Sequence, residues 1–231
     1  MQVRHVRGAG IITFALALVL LRISSSNGEA LFPSMAGEVV TMRLMSGGRI
    51  HVHVRYEVEG DLRSGQAMVF PETEWFLLAN FKARWNGRDL PTVRAQAPAD
   101  AHYSYKDHRF TAVHRFSIPP TESTAGRKTH RLENEYSYIP PYYGPGSKTD
   151  DPEGRYMEYI LVTGSTWRGP IGSVKVIFHT GCIPCEKITV LPGSYRGACT
   201  DTNTWEFTAK NIAPDRDINL LLPLREYRSC K

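Results

Sequence analysis

The sequence predicts an all-β fold, either a β-sandwich or an open barrel of short, mainly antiparallel strands, with little helix outside an N-terminal signal segment. Apolar and polar residues alternate over many short segments, which is the period-two pattern of strands. Glycine, proline and Asn-Gly turns separate these segments. Beyond the N-terminal segment no helical period extends over more than a turn or two. This combination is typical of sandwiches and barrels.

The N-terminal segment has the layout of a secretory signal. Basic residues precede the apolar run Ile11 to Leu21, and the small residues Gly28 and Ala30 precede a cleavage position. As a helix this run would rise only about 16 Å, whereas a bilayer core measures about 30 Å. We therefore predict a signal peptide over 1–30, a single β-rich domain without a transmembrane helix over 31–231, and export to the periplasm or the extracellular space.

The charge of the chain argues against nucleic acid as a partner. The formal net charge is +5, and it falls to about +3 once the signal segment is removed. Basic residues are scattered among acidic ones, whereas phosphate binding needs clustered Lys and Arg. A protein or a glycan of the cell envelope remains the expected kind of partner.

Four cysteines lie in the last quarter of the chain: Cys182, Cys185, Cys199 and Cys230. In an exported protein they predict two disulfides, and the sequence does not choose among the three pairings. A redox CxxC site is the first alternative, but such a site needs a helix N-terminus. A four-thiolate zinc site is the second, but strong zinc patterns contain a second close pair.

The first predicted element is a hairpin. Val39 to Met45 and Ile50 to Val58 have strand character on both sides of a Ser-Gly-Gly turn. His51 and His53 share the polar face of the second strand. They suit either a metal site or a solvent-facing polar row, and we favour the polar row because no third ligand is visible nearby.

The middle of the chain carries the clearest turn signal, Asn86-Gly87, between two alternating segments. This pair predicts a type I′ hairpin with Trp85 packed at its end. Further on, His114 falls in the apolar row of the strand Arg109 to Ile118. We interpret it as a buried, hydrogen-bonded histidine, because a general base would need a partner that the sequence does not identify.

The stretch 136–146 combines tyrosines with prolines and is predicted to leave the sheet as a stiff loop. Its tyrosines suit two uses, a plug for the open end of the core or a platform for sugar rings or an extended peptide. The residues concerned are Tyr136, Tyr138, Tyr142 and Tyr143.

Acidic residues follow this loop, namely Asp150, Asp151 and Glu153. Carboxylates this close together could hold Ca²⁺, although the spacing is not that of an EF-hand. A solvated turn is the other interpretation. The same carboxylates could also serve a hydrolase, which needs two acids across a cleft.

The stretch from Tyr156 to Phe178 reads as two apolar strands joined by a glycine-rich corner. We predict a structural hairpin here with the indole of Trp167 covering its end. The corner residues are Thr163, Gly164, Trp167, Gly169 and Pro170.

Two motifs in the C-terminal half resemble DUF4424, an exported bacterial family defined as a domain of unknown function. They are YILVTGSTWRGPIG at 159–172 and WEFTAKNIAPDRDINLLLP at 205–223. The segments 50–71 and 81–91 in the N-terminal half are also similar. The resemblance implies export and a β-rich fold, and it implies no activity or catalytic residue.

The sequence therefore favours a non-enzymatic binding or structural module of the periplasm or cell surface. It contains no recognisable pair of nucleophile and base, and it predicts no catalytic residue and no cofactor. A carbohydrate-active or other hydrolase that uses the acidic residues beside the tyrosine-rich loop is the alternative.

Overall fold

A computed structural model describes residues 34–60, 67–73, 76–97, 110–119, 129–144, 153–161 and 168–230, so the predicted signal segment lies outside the described residues. Strands and one short helix follow in this order: β1 (Ser34–Leu44), β2 (Ile50–Glu59), β3 (Ala67–Thr73), β4 (Ala79–Trp85), β5 (Arg88–Leu90), β6 (Val93–Gln96), β7 (Phe110–Ser117), β8 (Thr129–Tyr138), β9 (Tyr142–Tyr143), β10 (Gly154–Tyr159), β11 (Ile171–His179), β12 (Thr189–Val190), β13 (Ala198–Asp201), β14 (Thr204–Ile212), β15 (Ile218–Pro223) and α1 (Leu224–Ser229).

The described strands form three sheets, which confirms the all-β prediction. The large sheet has eight strands in the order β13-β14-β11-β1-β2-β8-β4-β5. Four strands in the order β12-β15-β10-β9 form the β10 sheet, and three in the order β3-β7-β6 form the β7 sheet. Neighbouring strands run antiparallel except β1 and β11, which are parallel. No helix within the described ranges is long and apolar enough to cross a membrane.

Both predicted hairpins of the N-terminal half are confirmed. β1 pairs with β2 around Gly47 and Gly48, whose φ angles are +85° and +74°. Asn86 and Gly87 have φ angles of +48° and +82°, as a type I′ turn requires. Trp85 packs at the end of this second hairpin and is 3% exposed.

One apolar face of the large sheet is covered by the two smaller sheets. Alternate residues of β2 are buried, and they join residues from both smaller sheets in one hydrophobic cluster. From the β7 sheet, Phe70 packs against Phe81 and Tyr136 of the large sheet, with ring centroids 5.1 and 5.2 Å apart. Strands β10 and β15 are buried on both faces, since nearly every residue in them is shielded. The core therefore lies between the large sheet and its two covers.

The prediction that Tyr156 to Phe178 forms one hairpin is wrong. β10 pairs with β15 and β9, whereas β11 pairs with β14 and β1 in the large sheet. Alternation marks a strand but not its partner, and the connection between these two strands is longer than a hairpin loop. Of the corner residues, Gly169 with φ +77° and the exposed Pro170 are described. Thr163, Gly164 and Trp167 lie outside the described residues.

Two disulfides are present, as predicted. Cys182 pairs with Cys230 and Cys185 with Cys199, with Cα atoms 5.7 and 5.8 Å apart. The two cysteines of the CxxC segment therefore belong to different disulfides, and neither is a free thiol. Disulfides of this kind are typical of proteins that fold in an oxidising compartment.

Replacing Leu132 with alanine tests the assignment of the buried face. Leu132 on β8 is fully buried, so Leu132→Ala should lower the free energy of unfolding by about 2–5 kcal/mol. Its neighbour Arg131 is exposed and pairs with Glu133 at 3.4 Å. As the matched control, Arg131→Ala should change stability by less than about 1 kcal/mol. Urea denaturation measures both values, and equal losses would contradict the assigned faces.

Candidate functional site

The tyrosine-rich stretch divides between the core and the surface. Tyr136 and Tyr138 belong to β8 rather than to a loop, and each is 2% exposed. Tyr142 is 51% exposed on β9, and Tyr143 beside it is partly buried and stacks on Tyr156 with centroids 6.2 Å apart. The first two tyrosines therefore plug the core, and Tyr142 is the one left open to solvent.

The hydroxyl of Tyr142 is held in place by Glu153. It donates a hydrogen bond to Glu153 Oε1 at 2.5 Å. This bond raises the pKa of Tyr142, because the neighbouring carboxylate disfavours a phenolate. Glu153 itself is exposed. An exposed ring thus keeps a fixed orientation.

Arg155 supports Tyr142 from the adjacent strand. Tyr142 and Arg155 are paired across β9 and β10, which places their side chains on one face. The guanidinium carbon of Arg155 lies 6.0 Å from the centroid of the Tyr142 ring. Its Nη1 donates to the carbonyl oxygen of Pro140 at 3.1 Å. The charge of Arg228 is also close enough to lower the pKa of Tyr142 in part. We call these side chains the Tyr142 surface: Tyr142, Glu153, Arg155 and Arg228.

The described residues contain no cluster of three or more His, Cys, Asp or Glu side chains that could hold a metal ion. Of the predicted acidic trio, Asp150 and Asp151 lie outside the described ranges. Glu153, the third member, accepts the hydrogen bond from Tyr142.

His114 is buried, as predicted, and its partner is Glu72. The Nε2 of His114 lies 2.5 Å from Glu72 Oε1, and the two side chains are 8% and 1% exposed. Burial lowers the pKa of His114, and the Glu72 carboxylate offsets part of that effect. A neutral imidazole with its proton on Nε2 suits this contact, since a carboxylate only accepts.

Arg94 completes the cluster around Glu72. Its Nη2 and Nε lie 2.8 and 3.2 Å from Glu72 Oε2. Arg94 and Glu72 belong to the two edge strands of the β7 sheet, on either side of β7. Glu72 stands opposite Ala112 on β7, and Arg94 stands opposite His114. Because Phe81 stacks on His114 at 4.3 Å between centroids, the cluster also touches the large sheet.

His51 and His53 form the predicted polar row. Each is partly exposed and lies diagonally across from a glutamate of β8. The Nε2 atoms of His51 and His53 are 3.3 and 3.4 Å from carboxylate oxygens of Glu135 and Glu133, respectively. These pairs lie on the face of β2 and β8 that points away from the core.

Glu38 is a second buried carboxylate, and its burial was not predicted from the sequence. It is 4% exposed on the apolar face of β1 and accepts a hydrogen bond from the Tyr159 hydroxyl at 2.5 Å. Burial raises the pKa of Glu38 to about 7, and the bond from Tyr159 lowers it only in part. The Glu38 charge in turn adds to the effect of burial in raising the pKa of Tyr56, its cross-strand neighbour.

The signal for Glu38 was present in the alternation of β1. Glu38 stands in the same row as Val40, Met42 and Leu44, which are all buried. A carboxylate in an apolar row indicates a buried partner, just as it did for His114. Glu72 gave no comparable signal, because it directly follows Pro71, and proline usually marks the edge or the end of a strand.

Replacing Glu38 with glutamine tests the buried carboxyl. The pKa of Glu38 in the folded protein, about 7, lies above the ordinary value of 4.5. The wild-type protein should therefore lose stability as the pH rises between these values, by an amount on the order of 3 kcal/mol. Glu38→Gln should lack this loss, since the amide does not ionise. Urea denaturation from pH 4 to pH 8 measures the free energy of unfolding of both proteins. The same pH dependence in the wild type and in Glu38→Gln would contradict a buried carboxyl with a raised pKa.

Substitutions of Glu72 and Arg94 should shift the pKa of His114 in opposite directions. Because Glu72 raises and Arg94 lowers the pKa of His114, Glu72→Gln should lower that pKa and Arg94→Gln should raise it. Imidazole proton shifts in an NMR titration report both. Shifts in the same direction, or none, would show that the three groups do not act on one another.

Comparisons with known proteins support the fold alone. No family model and no curated protein sequence matches the chain. A candidate nutrient binding protein from Legionella pneumophila is similar with a TM-score of 0.58 and 13% identity, over 82% of this chain and 66% of its own length. An M1 zinc metallopeptidase from Deinococcus radiodurans has a TM-score of 0.39 and 13% identity, over 82% of this chain and 42% of its own length. Leukotriene A4 hydrolase from Saccharomyces cerevisiae has a TM-score of 0.42 and 8% identity, over 81% of this chain and 29% of its own length. The chain thus spans two thirds or less of each of these proteins.

Proposed function

We propose that the protein is an exported, non-enzymatic binding module of the bacterial cell envelope, and that the Tyr142 surface binds a glycan. One observation carries the proposal. Tyr142 is half exposed, yet its hydroxyl is fixed by Glu153 and its ring lies beside Arg155. An oriented aromatic ring binds with little loss of conformational entropy.

The chemistry of this surface suits sugars. A tyrosine ring offers an apolar face on which the C–H groups of a sugar ring can stack. The carboxylate of Glu153 can accept hydrogen bonds from sugar hydroxyls, and arginine can donate to their oxygens. Positive and negative groups stand side by side, so the surface is not selective for a strongly charged polymer.

Export belongs to the same proposal. The signal-like segment over 1–30 and the two disulfides support it. The resemblance to DUF4424 also supports export and adds no activity. The binding function named for the Legionella protein is compatible with a binding module here.

The hydrolase alternative stays a prediction. It needs two carboxylates that face each other across a cleft. Glu153 is engaged by Tyr142, and the positions of Asp150 and Asp151 are outside the described residues. Release of reducing ends from a bound glycan would decide for this alternative.

An array of bacterial envelope oligosaccharides tests the proposed function. The wild-type protein should bind at least one of them, and Tyr142→Ala should weaken binding about tenfold, equivalent to about 1.4 kcal/mol. Tyr142→Phe keeps the ring but loses the hydrogen bond to Glu153 that orients it, so it should weaken binding by less than Tyr142→Ala does and by more than the control. Leu77→Ala, at a site that is 60% exposed, serves as the control and should bind as the wild type does. The proposal fails if no oligosaccharide binds or if Tyr142→Ala has no effect.

A further inference from the structure

The C-terminal helix α1 docks on the first hairpin through Tyr227. This side chain is 1% exposed, and its hydroxyl donates to the carbonyl oxygen of Gly48 at 2.5 Å. Gly48 belongs to the turn between β1 and β2. The contact therefore joins the end of the chain to the large sheet, far from it in sequence.

Arg155 connects this docked helix to the Tyr142 surface. Its guanidinium carbon lies 5.4 Å from the centroid of the Tyr227 ring and 6.0 Å from that of Tyr142. Both distances are in the range of cation–π attraction. The position of Tyr227 thus helps to fix Arg155, and Arg155 stands beside the exposed ring of Tyr142.

A disulfide holds α1 where it docks. Cys230 directly follows the helix, and its amide donates to the Tyr227 carbonyl at 3.2 Å. Its partner Cys182 is an exposed residue in the turn after β11. The helix has only six residues, and isolated helices shorter than about 12–15 residues are marginal in water. Its place therefore depends on docking and on this covalent bond.

We propose that α1 is the support of the Tyr142 surface and that the Cys182–Cys230 disulfide controls it by reduction and oxidation. The oxidised protein presents Tyr142 in a fixed orientation. Reduction releases α1, so that Arg155 loses the Tyr227 ring and Tyr142 loses its support. The ligand-binding consequence rests on the proposed function, whereas the structural consequence does not.

The redox step is an ordinary thiol–disulfide exchange. A thiolate of an external dithiol attacks one sulfur of the Cys182–Cys230 bond and forms a mixed disulfide. Its second thiol then displaces the protein sulfur, so the dithiol becomes a disulfide. Cys182 and Cys230 each gain one proton and together accept two electrons. A thiol–disulfide oxidoreductase is the class of protein that would supply this dithiol.

The other disulfide provides a matched control. Cys185 is 1% exposed, and its bond to Cys199 joins the segment after β11 to β13. Neither residue lies on α1. A variant without this bond loses a crosslink of the same kind but keeps the anchor of the helix.

Hydrogen exchange tests the inference without any ligand. In Cys182→Ser/Cys230→Ser, the amides of α1 and of the β9–β10 pairing should exchange at least tenfold faster than in the wild type. The Tyr156 amide, which donates to the Pro141 carbonyl at 2.9 Å, is a probe of this region. In Cys185→Ser/Cys199→Ser the same amides should keep their protection. Equal effects in both variants, or none in either, would overturn the inference.

A milder variant separates a local effect of α1 from general unfolding of the protein. Tyr227→Phe keeps both disulfides and the ring but removes the hydroxyl that bonds to the Gly48 carbonyl, and it should speed exchange in the same amides to a smaller extent. Unchanged exchange there would also count against α1 as the support.

Glycan affinity separates this inference from the proposed function. The Cys182→Ser/Cys230→Ser variant should bind the array oligosaccharide about tenfold more weakly, and the control variant should bind it normally. Faster exchange with unchanged affinity would overturn redox control of binding. If the wild type binds no oligosaccharide, the proposed function fails, while the exchange result still supports or overturns the role of α1.

Discussion

The whole structure depends on covering one apolar face of the large sheet. Alternate residues of strands such as β2 point to that face and are buried there. A sheet cannot leave such a face in water, because burial of apolar area is the main favourable contribution to folding. The β10 and β7 sheets supply the cover. Their arrangement leaves the short strand β9 at the edge of the β10 sheet, which is where Tyr142 reaches solvent.

Buried polar groups fix the positions of the β10 and β7 sheets on the large sheet. Glu38 on the large sheet accepts its hydrogen bond from Tyr159 on the β10 sheet. In the β7 sheet, Glu72 contacts His114, and the His114 ring stacks on Phe81 of the large sheet. A shifted cover would leave a carboxylate buried without a partner, at a cost of several kcal/mol. These contacts therefore select one arrangement of the three sheets.

The sequence predicts the local elements well and their partners poorly. The Asn86-Gly87 turn and the alternation of β2 were sufficient for two hairpins, because both signals are local. The strands around the Trp167 corner went to different sheets, since alternation carries no information about pairing. The disulfides were predicted as a pair of bonds, but their connectivity depends on α1 reaching the turn at Cys182. Tyr142 could likewise be named from the sequence, whereas its contact with Arg155, and the contact of Arg155 with Tyr227, depend on the tertiary fold.

We propose that the ligand binds at an edge built from β9, β10 and α1 rather than on the open charged face of the large sheet. NMR chemical-shift mapping during titration with an envelope oligosaccharide tests this most directly. The perturbed amides should cluster at Tyr142, Glu153, Arg155 and Arg228, with little change at His51 or His53. Perturbations centred on the histidine row of the large sheet would contradict it.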